Sequence, residues 1–467
     1  MPERPQNVLF VFVDDLNLAL GCYGHPLVQT PNIDRLAARG VRFSRAFCTY
    51  PLCGPSRSAL LTGRRPEWLR MPNNEVSWRD RRPDVKTLPQ LAREAGLHTR
   101  RLGKVQHHGL PGGVGDYASQ GFGRPHTFDD PPSWDHEWGK AARVHESKAT
   151  GDERLLDGPA HGGTALHTCR VEDSAELPDT LIADRAVAFL ASSEARDRPF
   201  FLGVGFHKPH VPLHAPRPWW RHYDNADVST LITPTARTPC PNLPTGMLKR
   251  DSFHRGLEPA DREHLYRGYL ACVSYMDEQV GRVVDALDAS GLRDSTLVVF
   301  VADHGYHTGE QGHWDKMMLM EPSLRVPMIV AGAGVEARGA ACDAVCETID
   351  VFPTVAGLMG WEGEEAQGRD LQPWLRQTDR PSDRPAFAWL HAGRRQGWSI
   401  RDNRHRYTLM SWEGGAPQPC LFDLEVDPHE THNLANDPDH ASLQTALDAQ
   451  IREHFRVDAP VLEGAAG

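Results

Sequence analysis

Four short runs of uninterrupted apolar residues constrain the fold of this chain more than any other feature of its sequence. The runs cover residues 8–13, 200–206, 297–302 and 327–331. Each has the length of a strand, and none alternates between apolar and polar residues, which is typical of parallel strands buried on both faces. Such a sheet needs helices on both sides, so the sequence predicts an α/β fold.

Amphipathic patterns between these runs predict the helices that cover the sheet. Residues 32–40 and 88–95 each have the pattern of a short helix that ends at a glycine. A longer pattern over 262–287 forms one apolar stripe, and Gly291 follows it. We therefore expect a large mixed, mostly parallel sheet sandwiched by helices.

The sequence changes character after about residue 371. The elements predicted there are antiparallel strands at 399–400, 407–410 and 421–424 and a helix at 443–455. This predicts an N-terminal α/β domain over 1–370 and a smaller C-terminal subdomain over 371–467 with an antiparallel sheet and a helix. The chain of 467 residues is long enough for both. Residues 109–178 are rich in Gly, Pro, His and Asp, which predicts long surface loops.

Charge and hydropathy exclude two classes of partner. The net charge is -11, so the molecule as a whole repels a phosphate backbone, and we expect no nucleic-acid partner. The apolar runs are too short to cross a membrane, and no signal peptide is visible, so we expect a cytoplasmic protein. The nine cysteines are scattered and odd in number, which does not indicate a disulfide framework.

Polar side chains follow three of the apolar runs at the point where each run ends. Asp14 and Asp15 follow the first run, and Asp303 and His304 follow the third. The second run is followed by His207, Lys208 and His210. Ligands of open α/β sheets bind beyond the carboxyl ends of the strands. Oxygen-rich donor sets favour Ca²⁺ or Mg²⁺ over zinc. The alternative for Asp14 and Asp15 is a helix cap or a solvated loop, and Asp303 with His304 alone is an equally weak signal.

Cys53 lies in the most specific motif of the chain. Pro55 can begin a short helix over 56–61 that Gly63 ends, which places Cys53 near a helix N-terminus. Free N–H groups there favour an anion, and Arg57 follows one turn later. The alternative is an ordinary buried cysteine with a structural role.

The run Cys53-Gly54-Pro55-Ser56-Arg57, continued by Leu61-Thr62-Gly63-Arg64, resembles the signature of type I sulfatases in the alkaline phosphatase superfamily. The resemblance covers nearly the whole chain and is closest to the iduronate-2-sulfatase branch. Other segments similar to the family are 7–15, 22–24, 30–34, 103–107, 206–210, 302–305, 309–310, 316, 421–424, 427–428 and 433–434.

The resemblance implies a modified nucleophile and a metal. In this family a separate formylglycine-generating enzyme reads Cys-x-Pro-x-Arg and oxidises the cysteine, here Cys53, to Cα-formylglycine. The implied ligands of a Ca²⁺ ion, with Mg²⁺ as the alternative, are Asp14, Asp15, the modified Cys53, Asp303 and His304. The residues implied to hold sulfate oxygens and to handle protons are Arg57, Lys104, His107, His207 and Lys316.

These residue types suit sulfate-ester hydrolysis. A formylglycine hydrate has two geminal hydroxyls, of which one attacks sulfur while the metal polarises it. Cations offset the charge that develops on the sulfate. His207 is our candidate for the acid that protonates the leaving alcohol, and His107 for the base that accepts the proton of the second hydroxyl.

The substrate that we expect is a sulfate ester on a sugar, and the resemblance to the iduronate-2-sulfatase branch implies a 2-sulfated uronate. Candidate substrate contacts are Trp78, Arg79, His313 and Trp314, because indole rings stack on sugars and arginine pairs with carboxylates. Two alternatives stay open. One is a phosphonate or phosphate ester hydrolase with the same nucleophile. The other is a non-catalytic anion- or glycan-binding protein in which Cys53 is never converted.

Overall fold

The computed structural model describes most of the chain, and all structural statements below refer to its described residues. These are residues 4–107, 130, 132–138, 151–155, 166–172, 174–175, 177–231, 240–248, 257–361, 365–382 and 384–456. Among them, no helix combines the length and the apolar character that a membrane crossing requires.

Three sheets contain the strands of the structure. In chain order the strands are β1 (Asn7–Val13), β2 (Gly40–Phe47), β3 (His98–Gly103), β4 (His136–Trp138), β5 (Gly151–Leu155), β6 (His167–Val171), β7 (Phe200–Phe206), β8 (Leu213–Pro216), β9 (Thr296–Ala302), β10 (Arg325–Gly332), β11 (Ala340–Glu347), β12 (Ala386–Ala392), β13 (Arg395–Arg401), β14 (His405–Trp412) and β15 (Gln418–Asp423). The largest sheet has the order β11-β2-β10-β9-β1-β7-β3-β4, and the others are β12-β13-β14-β15 and β5-β6-β8.

The eight-stranded sheet is mixed but mostly parallel. Only β10 runs against its neighbours β9 and β2, while the other pairs are parallel. Every residue of β1, β7 and β9 is buried, which means that both faces of the sheet centre are covered. The amino end of β10 therefore lies at the same edge as the carboxyl ends of the other strands.

Two groups of helices accompany this sheet. The α-helices are α1 (Pro31–Ala37), α2 (Cys53–Thr62), α3 (Pro66–Leu69), α4 (Trp78–Arg81), α5 (Leu88–Glu94), α6 (Pro178–Leu190), α7 (Ser193–Asp197), α8 (Arg217–Arg221), α9 (Pro259–Ala289), α10 (Glu321–Leu324), α11 (Val351–Met359), α12 (Gln372–Arg376) and α13 (Ala441–Phe455). Helix α9 packs against α1 and α6, and α2 packs against α5 and α11.

The four-stranded sheet is antiparallel throughout, and α13 packs on its strands β13 and β14. It is tied to the chain just before Cys53. The Trp389 N–H in β12 donates to the Thr49 carbonyl at 2.9 Å, and the Tyr50 hydroxyl donates to the His391 carbonyl at 2.7 Å. This sheet therefore packs beside the strand ends of the larger one.

The predicted fold class is confirmed, with two corrections. The run at 327–331 is a strand, but it is antiparallel rather than parallel. The prediction of loops over 109–178 is wrong for the described residues that form β4, β5 and β6. The rest of that region lies outside the described residues. The boundary between residues 370 and 371 stays a prediction.

Candidate active site

The carboxyl ends of four neighbouring parallel strands supply most of the predicted site residues. In sheet order, β9 is followed by Asp303 and His304, β1 by Asp14 and Asp15, β7 by His207, and β3 by Lys104. The reversed strand β10 is preceded by the segment with Lys316, which reaches the same edge for that reason. This is the edge where open α/β sheets bind ligands.

Cys53 is the first residue of α2, three residues earlier than the predicted helix. Leu52 before it is extended, and Gly63 ends the helix in the left-handed conformation at φ 64°. The Gly54 N–H donates to Asn74 Oδ1 at 2.8 Å, and a Cβ atom at Gly54 would lie only 2.7 Å from that oxygen. All ten residues of α2 are buried, so Cys53 has a fixed position at the helix N-terminus.

Three charged groups converge on the sulfur of Cys53. The thiol donates to Asp14 Oδ1 at 3.3 Å, and His304 Nε2 and Lys316 Nζ each lie 3.3 Å from Sγ. Lys316 Nζ also donates to Asp15 Oδ1 at 2.6 Å. Sγ is therefore the common contact of two strand ends and of the segment before β10.

The acidic groups around Cys53 have the donor set of a hard divalent cation. One ligand atom from each of Asp14, Cys53, Asp303 and His304 lies within 4.8 Å of the others. Asp15 Oδ1 lies 3.5 Å from His304 Nε2, while Asp15 Oδ2 is buried without a hydrogen-bond partner in the described structure. Three carboxylates and one imidazole fit Ca²⁺ or Mg²⁺ better than zinc.

Asp15 and Arg57 show how tightly this cluster is held. Asp15 has φ 60°, which a non-glycine residue adopts only where the surroundings enforce it. Arg57 Nε donates to Asp303 Oδ2 at 2.8 Å, and its Nη2 lies 3.5 Å from Asp14 Oδ1. Lys104 Nζ donates to Asp14 Oδ2. The three predicted cations Arg57, Lys104 and Lys316 are thus all within the cluster.

The surrounding charges and burial shift the pKa values of Asp14, Asp15 and Cys53 in different directions. Burial opposes the charge on Asp14, but Lys104, His210 and Arg57 hold its pKa well below the ordinary value. Burial raises the pKa of Asp15 to about 7. For Cys53, burial and Asp14 act to raise the thiol pKa, yet Lys104 and Lys316 bring it below the ordinary value. The cluster therefore favours an anion at position 53.

The two predicted proton-handling histidines border the cluster and are neutral. Burial and the nearby Lys104 lower the pKa of His207 to about 3 and that of His107 well below its usual range. The main-chain N–H of His207 donates to Asp179 Oδ1 at 2.8 Å. Its Nε2 atom is buried and has no hydrogen-bond partner among the described residues. Such an atom is available to a bound ligand.

Sequence analysis gave no role to three residues of this site, although it placed His210 at the end of the second apolar run. His210 Nε2 lies 3.8 Å from Asp15 Oδ2 and within reach of Cys53, and its spacing of three from His207 was a usable signal. Asp179 also accepts the Lys208 N–H at 2.9 Å, and Asn74 binds Gly54, but neither belongs to a recognisable motif. Their contacts arise only in the folded chain.

The four predicted substrate contacts have protein partners in this structure. Trp78 is buried in a small apolar cluster, and Trp314 is buried beside Tyr266. Arg79 pairs with Asp130 at 2.7 Å and lies over the Trp78 ring. His313 is also buried. In this conformation neither indole offers a free face to a sugar, and the substrate roles stay predictions.

The described residues thus form a mixed, mostly parallel α/β sheet with carboxylates that could hold a metal ion beside Cys53, at the N-terminus of a buried helix. The family model described as Sulfatase matches residues 6–361, and the one described as N-sulphoglucosamine sulphohydrolase, C-terminal, matches residues 309–456. The chain belongs to the sulfatase family.

One curated relative is a sulfatase by name, and two solved structures share the fold. Iduronate 2-sulfatase of Mus musculus is 30% identical over 94% of this chain and 93% of its own. A solved protein in complex with its substrate D-glucosamine-2-N,6-O-disulfate has a TM-score of 0.75 at 20% identity, covering 98% of this chain and 99% of the other. A phosphonate monoester hydrolase from Silicibacter pomeroyi has a TM-score of 0.72 at 25% identity, covering 97% and 95%.

Proposed function

We propose that this sulfatase hydrolyses a sulfate ester on a sugar, using Cα-formylglycine made from Cys53 and a bound Ca²⁺ ion. The observation that carries the proposal is the position of the Cys53 side chain, with Asp14, His304 and Lys316 each 3.3 Å from its sulfur. An oxygen nucleophile at the same place would lie beside both the metal ligands and the anion-binding cations.

The residues present fit both groups. Asp14, Asp15, Asp303 and His304 would hold Ca²⁺, or Mg²⁺ as the alternative, which when bound supplies a positive charge beside the nucleophile. The hydrated aldehyde at position 53 would supply an oxygen nucleophile with a second hydroxyl. Because Cys53 is only 1% exposed, we expect the formylglycine-generating enzyme to act before α2 is buried.

The cations and histidines of the chain would bind the sulfate and transfer protons. Arg57, Lys104 and Lys316 would bind sulfate oxygens and offset the charge that builds up on them. A bound sulfate brings negative charge beside His207, which favours a proton on its free Nε2 atom for the leaving alcohol. His107, which burial and Lys104 keep neutral, would accept the proton of the second hydroxyl.

The names of relatives support the proposed substrate class, and a substrate panel tests it. We expect turnover of a 2-sulfated uronate glycoside and of 4-nitrophenyl sulfate, and weaker turnover of phenyl phosphonate esters. The structural similarity to a phosphonate monoester hydrolase favours the reverse order as the second candidate. A clear preference for the phosphonate would overturn the sulfatase proposal in favour of that candidate.

Two variants of the nucleophile complete this experiment. Cys53→Ala removes the attacking atom, so turnover should vanish while the fold survives. Cys53→Ser keeps one hydroxyl but not the second, so we expect at most a single burst of product without further turnover. Normal turnover by Cys53→Ala would exclude a reaction at this residue, and turnover of none of the esters would favour a binding protein with an unconverted cysteine.

A further inference from the structure

The segment that carries Lys316 has a constrained main chain. Met317, the next residue, has φ 67°, which side-chain-bearing residues rarely adopt. Its N–H donates to the Pro51 carbonyl at 3.1 Å, two residues before Cys53. A conformation of this kind is unfavourable and persists only where its surroundings enforce it. Something must therefore hold Met317 in place.

Arg395, the first residue of β13, supplies that contact from the four-stranded sheet. Its Nη2 donates to the Met317 carbonyl at 2.8 Å. The same guanidinium donates through Nε to the Gly246 carbonyl at 2.7 Å and through Nη2 to the Met247 carbonyl at 3.3 Å. The planar fork of arginine thus joins β13 to two other segments of the chain, residues 246–247 and the segment with Met317.

The environment of Arg395 is costly for a cation. The side chain is buried, and the acceptors of its hydrogen bonds are main-chain carbonyls rather than carboxylates. Burial lowers the pKa of Arg395 to about 10, so it is still charged at neutral pH. Asp315 partly opposes this lowering, but none of the hydrogen bonds of Arg395 within the described structure goes to a carboxylate, so its burial is poor evidence of a stabilising role. Its geometry, however, fixes the carbonyl beside Lys316.

A second contact links the same sheet to this segment. A Cβ atom at Gly397 in β13 would lie 2.7 Å from Leu319 Cδ1, so the strand and the segment after Lys316 are in close contact. Lys316 Nζ has a demanding position, 2.6 Å from Asp15 Oδ1 and 3.3 Å from Cys53 Sγ. A rotation of the main chain at Met317 would move this ammonium group away from both.

We propose that Arg395 is a positioning residue that fixes the main chain at Met317, so that Lys316 Nζ reaches its place between Asp15 and Cys53. The proposal rests on the proposed function, in which Lys316 binds the sulfate. It gives the C-terminal sheet a defined part in the reaction, since a residue of that sheet sets the position of a cation at the edge of the other.

A double-mutant cycle tests the proposal. The variants are Arg395→Met, Arg395→Lys, Lys316→Met and the double variant with both residues replaced by Met. We expect Arg395→Met to lower kcat/KM by about 10- to 100-fold, the cost of a misplaced catalytic group. Arg395→Lys should recover part of the loss. The matched control is Arg394→Met, because Arg394 is exposed and pairs with Glu413, and its kcat/KM should stay within about twofold of wild type.

The cycle separates positioning from general stability. If Arg395 acts through Lys316, the kcat/KM of the double variant should be less than about threefold below that of Lys316→Met alone. The group that Arg395 positions is already absent in that background. Equal losses in both backgrounds would overturn the proposal and leave Arg395 with a structural role only. If Arg395→Met does not fold, Arg395→Lys carries the same comparison.

Hydrogen exchange gives a readout that does not depend on activity. The Met317 amide is expected to exchange faster in Arg395→Met and Arg395→Lys than in wild type and Arg394→Met, since its segment loses a clamp. Unchanged exchange would refute the proposal even if activity fell. If Lys316→Met has full activity, the role of Lys316 in the proposed function fails, while the exchange result still decides whether Arg395 holds the segment.

Discussion

The two main sheets of this molecule both bury charged residues, but they arrange them differently. At the edge of the eight-stranded sheet, charges converge on one atom, Cys53 Sγ, and Asp15 Oδ2 and His207 Nε2 have no hydrogen-bond partner among the described residues. In the four-stranded sheet, Arg401 and Arg406 both donate to Glu321, at 2.9 and 2.5 Å. In the second arrangement the buried atoms Arg406 Nε and Glu430 Oε1, which also have no hydrogen-bond partner in the described structure, form an ion pair at 3.3 Å and so hold the fold together, whereas the first arrangement leaves atoms available to a ligand.

Arg57→Met should have the largest effect, because Arg57 contacts two carboxylates of the cluster around Cys53. The change leaves Asp14 and Asp303 buried without their guanidinium. We expect activity to fall at least about 10³-fold and the free energy of unfolding to fall by about 3–5 kcal/mol. Initial rates and urea unfolding measure both, with the exposed Arg35→Met as control. A stable and active Arg57→Met protein would contradict this role.

Metal removal should affect the edge of the eight-stranded sheet and not the four-stranded sheet. A metal present at 1,000 times its dissociation constant stabilises the folded state by about 4 kcal/mol, so chelation should lower Tm by several degrees. Calcium should restore it. Asp15→Asn is expected to lose this response, while Glu347→Gln, at the junction with the four-stranded sheet, keeps it. An equal chelator response in Asp15→Asn and wild type would place the metal elsewhere.

Glu347→Gln should show the opposite pattern, a loss of stability without a loss of chemistry. Glu347 binds Arg65 at 2.6 Å and Arg384 at 2.8 Å, and it accepts the Phe387 N–H of β12 at 2.7 Å. Weakening this buried network should cost about 2–4 kcal/mol of unfolding free energy. The kcat of the folded fraction should stay within about threefold of wild type. A large fall in kcat at unchanged stability would remove the distinction between the two regions.

Glu430→Gln should give the smallest effect, and one that depends on pH. Burial, together with Glu321, raises the pKa of Glu430 to about 8 from an ordinary 4.5. The folded state thus holds a proton that the unfolded state releases, and this contribution to stability is lost as pH rises from about 4.5 to 8. The Tm of Glu430→Gln relative to wild type should therefore rise by about 2–4 °C between pH 5 and pH 8.5. The exposed Glu425→Gln serves as control, and a difference that is constant with pH would refute the assignment.

The first region could be predicted from the sequence because its signals are local. Asp14 and Asp15 directly follow β1, and Asp303 and His304 directly follow β9, so an apolar run marks each pair. The direction of β10 was not predictable in this way, since an apolar run has the same pattern in either direction. Strands β2 and β3 were missed because arginines such as Arg42 and Arg101 interrupt their apolar pattern.

The role that we propose for Arg395 of the four-stranded sheet could not be predicted from the sequence. Arg394 and Arg395 are adjacent and chemically identical, yet one is exposed and the other is buried. What separates them is the approach of residues 246–247 and 317, which are far away in the chain. Lys104, His107 and Lys316 were likewise found by family resemblance, because a lone lysine or histidine has no distinguishing pattern.

The central claim is that Cys53 is converted to formylglycine in the active protein, and mass spectrometry tests it most directly. Trypsin cleavage after Arg45 and Arg57 gives the peptide 46–57, which contains both Cys48 and Cys53. After alkylation of protein from the native host, we predict one alkylated thiol, at Cys48, and an aldehyde at position 53. Two alkylated thiols in a preparation that hydrolyses sulfate esters would contradict the account.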